Sequence, residues 1–469
     1  MAAGAATSDP RATAAAVDVL RGGGNAVDAA VAAAFVLYVV EPQSAGLGGD
    51  AFLIAVEPGQ APVALDGAGA LPLGLTADAL ASDGLDAVPV RGGRTATVPG
   101  AVGLLEEGLA RFGTRSLAAS VDPAIALAEN GFEVRPSLAA TAARAAAEIG
   151  VDPVLGPLYV PGGVPVAAGD EVRNAALARC LRAVAADGAA VIYDGSVGAE
   201  LVATVAADGG YLTRDDLAAH RTTEMGLESA PFAGYVVWEL GPPTQGPAVV
   251  EALSMLEPTE PVDWIGVLEA IHHGMKAAGF DPAAVGGRPN PAKGDTTYVA
   301  VVDAEGRGAS LITSVFGDFG SHLGVPVLGG PVGNRATMLR ALRRQPTPGA
   351  KPPHTTIPAA VTDGDGGLRY VLGVAGGFMQ PQAQVQILLR MLVEGLAPQA
   401  AIDAPRFKIL LGGEVAAEEG HPLVATIPEA GARSSGPEGY GAAQVVGWHN
   451  GELAAGADPR RGGVAEVVA

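Results

Sequence analysis

The feature that most restricts the fold is a pair of apolar, β-branched runs, Thr296-Thr297-Tyr298-Val299-Ala300-Val301-Val302 and Ala309-Ser310-Leu311-Ile312-Thr313-Ser314-Val315-Phe316, joined through Asp303-Ala304-Glu305-Gly306. Thr, Val, Ile and Tyr favour a pleated, half-buried surface and the link has turn chemistry, so the segment predicts a β-hairpin whose first strand opens at Thr296. A strand that begins with threonine also has a chemical option. If the Asp295–Thr296 peptide is cut, Thr296 gains an α-amine beside its own hydroxyl. An unperturbed α-amine has a pKa of about 7.7–8.0, so near neutral pH a useful fraction can take the hydroxyl proton. One residue would then supply both nucleophile and base. The same hydroxyl could make the cut by attacking the Asp295 carbonyl to form an ester that water opens. On spacing alone, Thr-Thr at a strand start is more often plain β-propensity.

The chain of 469 residues is 49% hydrophobic, enough to bury a large core, and length alone suggests two or three domains. Its 67 Gly and 36 Pro, with only 4% aromatic residues, express a small-residue bias spread along an apolar chain rather than disorder. A net charge of −21 gives no electrostatic basis for holding a phosphate backbone, so no nucleic-acid partner is expected. The single cysteine, Cys180, excludes an internal disulfide and a multi-cysteine zinc site; it reads as a packed thiol in a helix over 175–185, and neither metal nor cofactor is expected. The most apolar early run, 29–40, is bounded by Asp28 and Glu41-Pro42 and is short for a bilayer span. It predicts a buried helix and no membrane partner. No basic start, apolar core and cleavage signal occur in order at the beginning, so a cytoplasmic location is the expectation.

Ser8-Asp9-Pro10 predicts a helix start, with apolar spacing over 12–20 and a stop at Gly22-Gly23-Gly24, after which Asn25 caps a second helix. The 41–52 stretch is a tight glycine turn entering a strand. Its Gly46-x-Gly48-x-x-Ala51 pattern resembles a dinucleotide fingerprint without the strand–turn–helix unit such a site needs. Residues from about 130 to 225 read as mainly helical, 234–240 as a strand and 247–256 as a helix. His272 and His273, about 100° apart on a helix, are poorly placed to share a metal. The Pro- and Gly-rich 286–294 stretch reads as an exposed linker directly before the candidate cut. Further on, 351–359 leads to a strand, Gly376-Gly377 follows, and 384–394 reads as a helix. Paired glycines can present two unshielded backbone N–H groups to a developing oxyanion, although a bulge or close-packed turn uses them as readily.

Asp295-Thr296-Thr297-Tyr298 with the following Val-Val-Asp-x-x-Gly resembles the maturation site of γ-glutamyltranspeptidases, in the branch that carries Tyr where better-known members carry His. The resemblance recurs along nearly the whole chain: in Gly23-Gly24-Asn25-Ala26-Val27-Asp28-Ala29-Ala30-Val31 with the glycine-rich turn after it, in Val98-Pro99-Gly100-Ala101-Val102, and in Gly456-Ala457-Asp458-Pro459-Arg460. It implies an α/β (α+β) protein, the four-layer αββα sandwich of the N-terminal nucleophile hydrolases. It further implies one intertwined domain cut from a single precursor into a large-subunit segment, 1–295, and a small-subunit segment, 296–469. The two form a heterodimer, and paired heterodimers forming a heterotetramer are the larger assembly the resemblance allows. Thr296 becomes the nucleophile, Asp295–Thr296 the cleavage site, Thr313 a second threonine bonded to the nucleophile, and Gly376 and Gly377 the oxyanion-hole segment.

The γ-glutamyl pocket departs from the family pattern. The Arg that holds the donor carboxylate falls at Ala77, the Asn and Asp that hold the donor amine are replaced at Val315 and at Thr337 or Met338, and a serine pair becomes His354-Thr355. Removing charge partners from a buried site forfeits about a few kcal/mol each, so the expected partner is a small-molecule acyl or amide substrate other than a γ-glutamyl one. His354 is a candidate for recognising or protonating that acyl group, against a plain packing role. The family also includes amidohydrolases, acylases and members of antibiotic pathways that cleave other bonds. One such bond is a carbon–carbon bond next to an oxalyl-type carbonyl, and a C–C hydrolase is therefore the alternative enzyme. From another class, the alternative is a catalytically silent relative kept for binding. Serine-hydrolase chemistry lacks its Gly-x-Ser-x-Gly elbow.

Overall fold

Asp9 accepts the Arg11 N–H and Pro10 occupies the first helical turn, where no N–H is needed, so the chain passes from the Ala3–Thr7 strand directly into the Pro10–Arg21 helix. Asn25 and Asp28 then cap the Ala26–Val40 helix reciprocally. That helix is apolar around its whole circumference and every residue of it is buried, as an all-round apolar helix requires. The computed structural model describes residues 2–285, 296–434 and 436–469.

Two large sheets form the centre. The first runs, edge to edge, Val464–Val468, Ala3–Thr7, Thr297–Val302, Gly308–Ser314, Asp50–Val56, Val63–Asp66 and Thr223–Met225. The second runs Glu452–Ala457, Ala442–His449, Leu368–Ala375, Pro358–Thr362, Tyr235–Leu240 and Leu227–Phe232. All pairings within both are antiparallel. Each sheet is built from strands before and after residue 296, so neither sheet belongs to one segment of the chain.

Side-chain alternation builds three apolar layers around these sheets. On the Thr297–Val302 strand, Val299 and Val301 face the cluster that contains the Ala26–Val40 helix, whereas Tyr298, Ala300 and Val302 face the space between the sheets. The second sheet's outer face is covered by the Gly246–Ser254, Trp264–Ala277 and Met379–Leu392 helices. Helix, sheet, sheet and helix therefore stack in the αββα order. Sequence boundaries shift by small amounts: the helix expected over 384–394 begins at Met379, directly after the twin glycines, and Thr296 immediately precedes its strand. Cys180 is buried in the Ala175–Asp187 helix, where desolvation, with Glu200 adding to it, pushes its thiol up to about 12. Among the described residues no helix is long and apolar enough to cross a membrane.

Candidate active site

The hairpin register pairs Thr297 with Thr313, which makes Thr296 and Ser314 the next opposed pair; Ser314 in turn pairs with Asp50 on the neighbouring strand. Thr296, Ser314 and Asp50 thus form a row across three strands on the face toward the second sheet, all three buried. Thr296 Oγ1 lies 3.1 Å from Ser314 Oγ, and the Phe316 N–H donates to Ser314 Oγ at 2.9 Å. Thr313 points to the opposite face. Its hydroxyl lies 3.0 Å from the Tyr38 hydroxyl and donates to the Asp50 carbonyl at 2.9 Å. The bond to the candidate nucleophile that the resemblance gives to Thr313 is therefore made by Ser314, because a shift of one residue on a strand changes the face. Thr297 also faces away from the row, 2.6 Å from Ser8 Oγ, which donates to Glu41 Oε2. Asp295 and the expected 286–294 linker lie outside the described residues.

Gly376 and Gly377 end the Leu368–Ala375 strand. On that strand a Cβ at Gly373 would sit 2.4 Å from the Tyr298 ring, and at the far end Gly308 lies against Leu368 and Val371. The Leu368–Ala375 strand thus ends where the Thr297–Val302 strand begins, and the twin glycines and Thr296 occupy the same end of the sandwich. With φ of 149° and 58°, both positions use backbone space that favours glycine. Their carbonyls accept the N–H groups of Met379 and Gln380, and the Gly377 carbonyl also accepts Gln245 Nε2 at 3.1 Å. Gln245 Nε2 donates at 2.8 Å to the Thr355 carbonyl as well, tying that segment to the glycine turn.

The Asp50 end of the row carries a buried cation. Arg335, 1% exposed, donates from Nε to Asp50 Oδ2 at 3.3 Å and from Nη1 to Thr355 Oγ1 at 3.4 Å, and its Cζ lies 4.4 Å from the Phe316 ring centroid. Its Nη2 has no hydrogen-bond partner among the described residues. Asp50 Oδ1 accepts the Gly69 N–H at 3.0 Å. Desolvation pushes the Asp50 carboxyl up, against the opposing pull of Arg335. His354 is fully buried, with Nδ1 3.2 Å from Thr356 Oγ1 and Nε2 3.8 Å from Asp50 Oδ2. Desolvation, then Arg335 and Lys351, hold its pKa well below the ordinary value, so the ring is neutral and its approach to Asp50 is not an ion pair.

The other pocket residues expected from the sequence are not brought into this cluster. Ala77 is exposed at the start of the short Ala77–Ser82 helix. Val315 packs toward the Gly46–Gly49 turn, the Thr337 hydroxyl donates to the carbonyls of Pro89 and Val90, and Met338 is buried in the core cluster outside the second sheet. His354 and Thr355 do line the cluster. Sequence reasoning missed Ser314, Asp50, Gln245 and Arg335. The available signal was an isolated charge in each of two small-residue runs, Gly48-Gly49-Asp50-Ala51 and Gly333-Asn334-Arg335-Ala336.

The family model described as Gamma-glutamyltranspeptidase matches residues 12–280 and 267–468. Among curated proteins, the chain is 32% identical to the oxamate amidohydrolase proenzyme of Klebsiella pneumoniae, across 85% of this chain and 83% of that one. It is 30% identical to the acylase ACY 1 proenzyme of Pseudomonas sp. strain V22, across 85% and 81%. Among solved structures, the cephalosporin acylase of Bacillus halodurans superposes with a TM-score of 0.88 at 31% identity, covering 99% of this chain and 95% of that one. This chain therefore belongs to the gamma-glutamyltranspeptidase family and is an enzyme of its N-terminal-nucleophile, acyl- and amide-cleaving kind.

Proposed function

We propose that the chain matures by scission of the Asp295–Thr296 bond and then cleaves a small acyl or amide substrate, other than a γ-glutamyl one, through an ester on Thr296. The observation that carries this reading is the Thr296–Ser314 hydroxyl contact at the end of the sandwich where Gly376-Gly377 closes the facing strand. Once free, the α-amine takes the hydroxyl proton as Oγ1 attacks the acyl carbonyl. The N–H groups of Gly376 and Gly377 receive the oxyanion, and the proton passes to the departing amine. Water, or an acceptor amine, then opens the ester and regenerates Thr296. Residues 1–295 and 296–469 act as the large and small subunits of one intertwined unit. The proenzyme nature of the acylase and amidohydrolase relatives supports the scission.

Denaturing electrophoresis with mass spectrometry of the purified protein tests it. Two chains meeting at Asp295–Thr296, replaced by one uncut chain in Thr296→Ala, are the expected result. A Thr296→Ala protein that still divides at that bond refutes self-processing, and an undivided wild-type chain with full amidase activity refutes the nucleophile assignment.

A further inference from the structure

Two adjacent glycines are the most pliable dipeptide a chain can hold, yet N–H donors serve a developing oxyanion only when they are in place before the charge appears. Part of what holds Gly376 and Gly377 comes from their own loop: the Gly376 carbonyl accepts the Met379 N–H at 3.0 Å and the Gly377 carbonyl accepts the Gln380 N–H at 3.2 Å. The rest comes from a distant element. Gln245 Nε2 donates to the Gly377 carbonyl at 3.1 Å and to the Thr355 carbonyl at 2.8 Å, which uses both of its N–H bonds. Gln245 is fully buried, and its Oε1 has no hydrogen-bond partner among the described residues, so the amide is satisfied through its donors alone. Turned over, it would set an oxygen against two carbonyl oxygens.

Gln245 is itself held from behind. It stands at the N-cap of the Gly246–Ser254 helix, where the Thr244 hydroxyl accepts the Gly246 N–H and shares its proton between the Leu240 and Gly241 carbonyls. The His354 N–H donates to the Pro243 carbonyl at 3.0 Å, and a Cβ at Gly246 would lie 2.0 Å from the Leu240 carbonyl oxygen. The helix that follows the glycines is locked as well. Gln380 and Gln384 bind the N–H and carbonyl of Ile357, and Gln382 and Gln386 accept the N–H groups of Ile409 and Phe407. With that helix fixed, any swing of the Gly377 carbonyl is taken up by the preceding peptide, which carries the Gly377 N–H. We propose that Gln245 is a positioning residue for the reaction, a buried clamp that keeps the Gly376-Gly377 N–H groups set for the oxyanion and ties them to the 354–357 segment. Its occupation of both carbonyls, rather than contact with any acyl group, is what the reaction requires of it.

Gln245 has this role only if Thr296 is the nucleophile and the glycine N–H groups take the oxyanion, so the two are tested in order. Wild-type protein is first checked for division at Asp295–Thr296 and for acylation of Thr296 by p-nitrophenyl acetate and butyrate; an undivided chain, or a divided one that neither ester acylates, counts against the nucleophile itself. Gln245→Met, which keeps the volume and removes both donors, is then compared with wild type. Because an oxyanion forms in both acylation and deacylation, the expected result is a loss of about 10-fold or more in kcat, the same for both esters, with KM within about twofold. Gln245→Glu, which keeps the shape and places an oxygen against the two carbonyls, loses as much or more. A divided, folded Gln245→Met enzyme with a smaller loss in kcat, with its loss in KM, or with a loss that differs between acetate and butyrate overturns the proposal. If neither variant folds, a crystal structure of the acetylated wild-type enzyme decides: Gln245 Nε2 bonded to the Gly377 carbonyl, with the ester carbonyl on the glycine N–H groups, is the expected result, and Gln245 turned away from Gly377 overturns it.

Discussion

Two arginine–aspartate pairs are buried equally deeply and built differently. Arg406 meets Asp458 at 2.7 Å, and its Nη atoms also donate to the carbonyls of Ile402, Tyr440 and Gly441. Asp458 in turn accepts the Ala443 N–H and two bonds from Arg460. Only Nε of Arg406 lacks a partner among the described residues. Arg335 meets Asp50 at the longer distance of 3.3 Å, makes one further bond at 3.4 Å and leaves Nη2 open. Burial depresses both guanidinium pKa values and the partner carboxylates oppose the effect, so solvent exclusion alone does not tell them apart. The difference lies in completed valence. Arg406 ties the 402–407 region to the 440–443 and 458 segments and has little left to offer, whereas Arg335 keeps Nη2 without a partner among the described residues.

The largest expected effect follows from this contrast. Arg406→Met takes from buried Asp458 the closer of its two cations, leaving Arg460 at 3.2 Å, and strips three carbonyls of their donor, so it should destabilise the fold by about 3 kcal/mol. Arg335→Met should cost less than half as much, because fewer and longer bonds are lost and desolvation already pushes Asp50 toward its neutral form. Urea midpoints of the two variants against wild type measure the ratio. Equal losses would mean that Arg335 is a structural staple like Arg406, and the comparison would fail.

A second, smaller effect concerns the histidines near the pairs. His421, whose ring meets Phe407 next to Arg406, is held down to about 3 by burial and then by Arg390, and His354 beside Asp50 is also held well below its ordinary value. Both are neutral in the folded state. A base with a depressed folded pKa contributes stability that is present above its unfolded value, about 6.5, and is lost as pH falls below it. Each should therefore remove about 1.4 kcal/mol of stability per pH unit between pH 6 and 5. Urea midpoints across that range in wild type, His421→Gln and His354→Gln check this. Each substitution should flatten the slope by about one histidine's share, and an unchanged slope would show that the ring is charged in the fold.

The sequence made the layers and the nucleophile strand legible because their signals are local. Caps at Asp9 and Asn25, the β-branched hairpin, the all-apolar 26–40 run and the twin glycines each have a short-range cause. The row Thr296–Ser314–Asp50 and the Arg335 pair were not legible, because they depend on which strand lies beside which and on a face that alternates every residue. Thr313 and Ser314 are adjacent hydroxyl residues in one strand, and sequence pattern alone gives no reason to prefer either. The contact that decides between them spans 18 positions, and the Arg335–Asp50 contact spans 285. Ala77, Val315, Thr337 and Met338 show the same limit from the other side: each was placed by resemblance, and the packing of its own element turns it elsewhere.

The remaining effect, a single hydroxyl on either face, tests that choice of face directly. Ser314→Ala removes the hydroxyl that touches Thr296 Oγ1 and leaves the Phe316 N–H without that acceptor, so it should lower kcat about 10-fold, equivalent to about 1.4 kcal/mol of transition-state stabilisation. The fold should change little, since a small buried hydroxyl is exchanged for a methyl group. Thr313→Val keeps the shape but leaves the buried Tyr38 hydroxyl without its Thr313 partner, so it should cost about 1–3 kcal/mol of stability with kcat within about twofold of wild type. Burial, foremost, pushes the Tyr38 phenol far up, so at ordinary pH it stays protonated and cannot recover the loss by ionising. Measured together, kcat and urea midpoint should therefore move in opposite patterns for two residues joined by a single peptide bond. If Thr313→Val slows turnover while Ser314→Ala does not, the catalytic row lies on the helix-facing side of the strand, and the Thr296–Ser314 contact is only a packing contact.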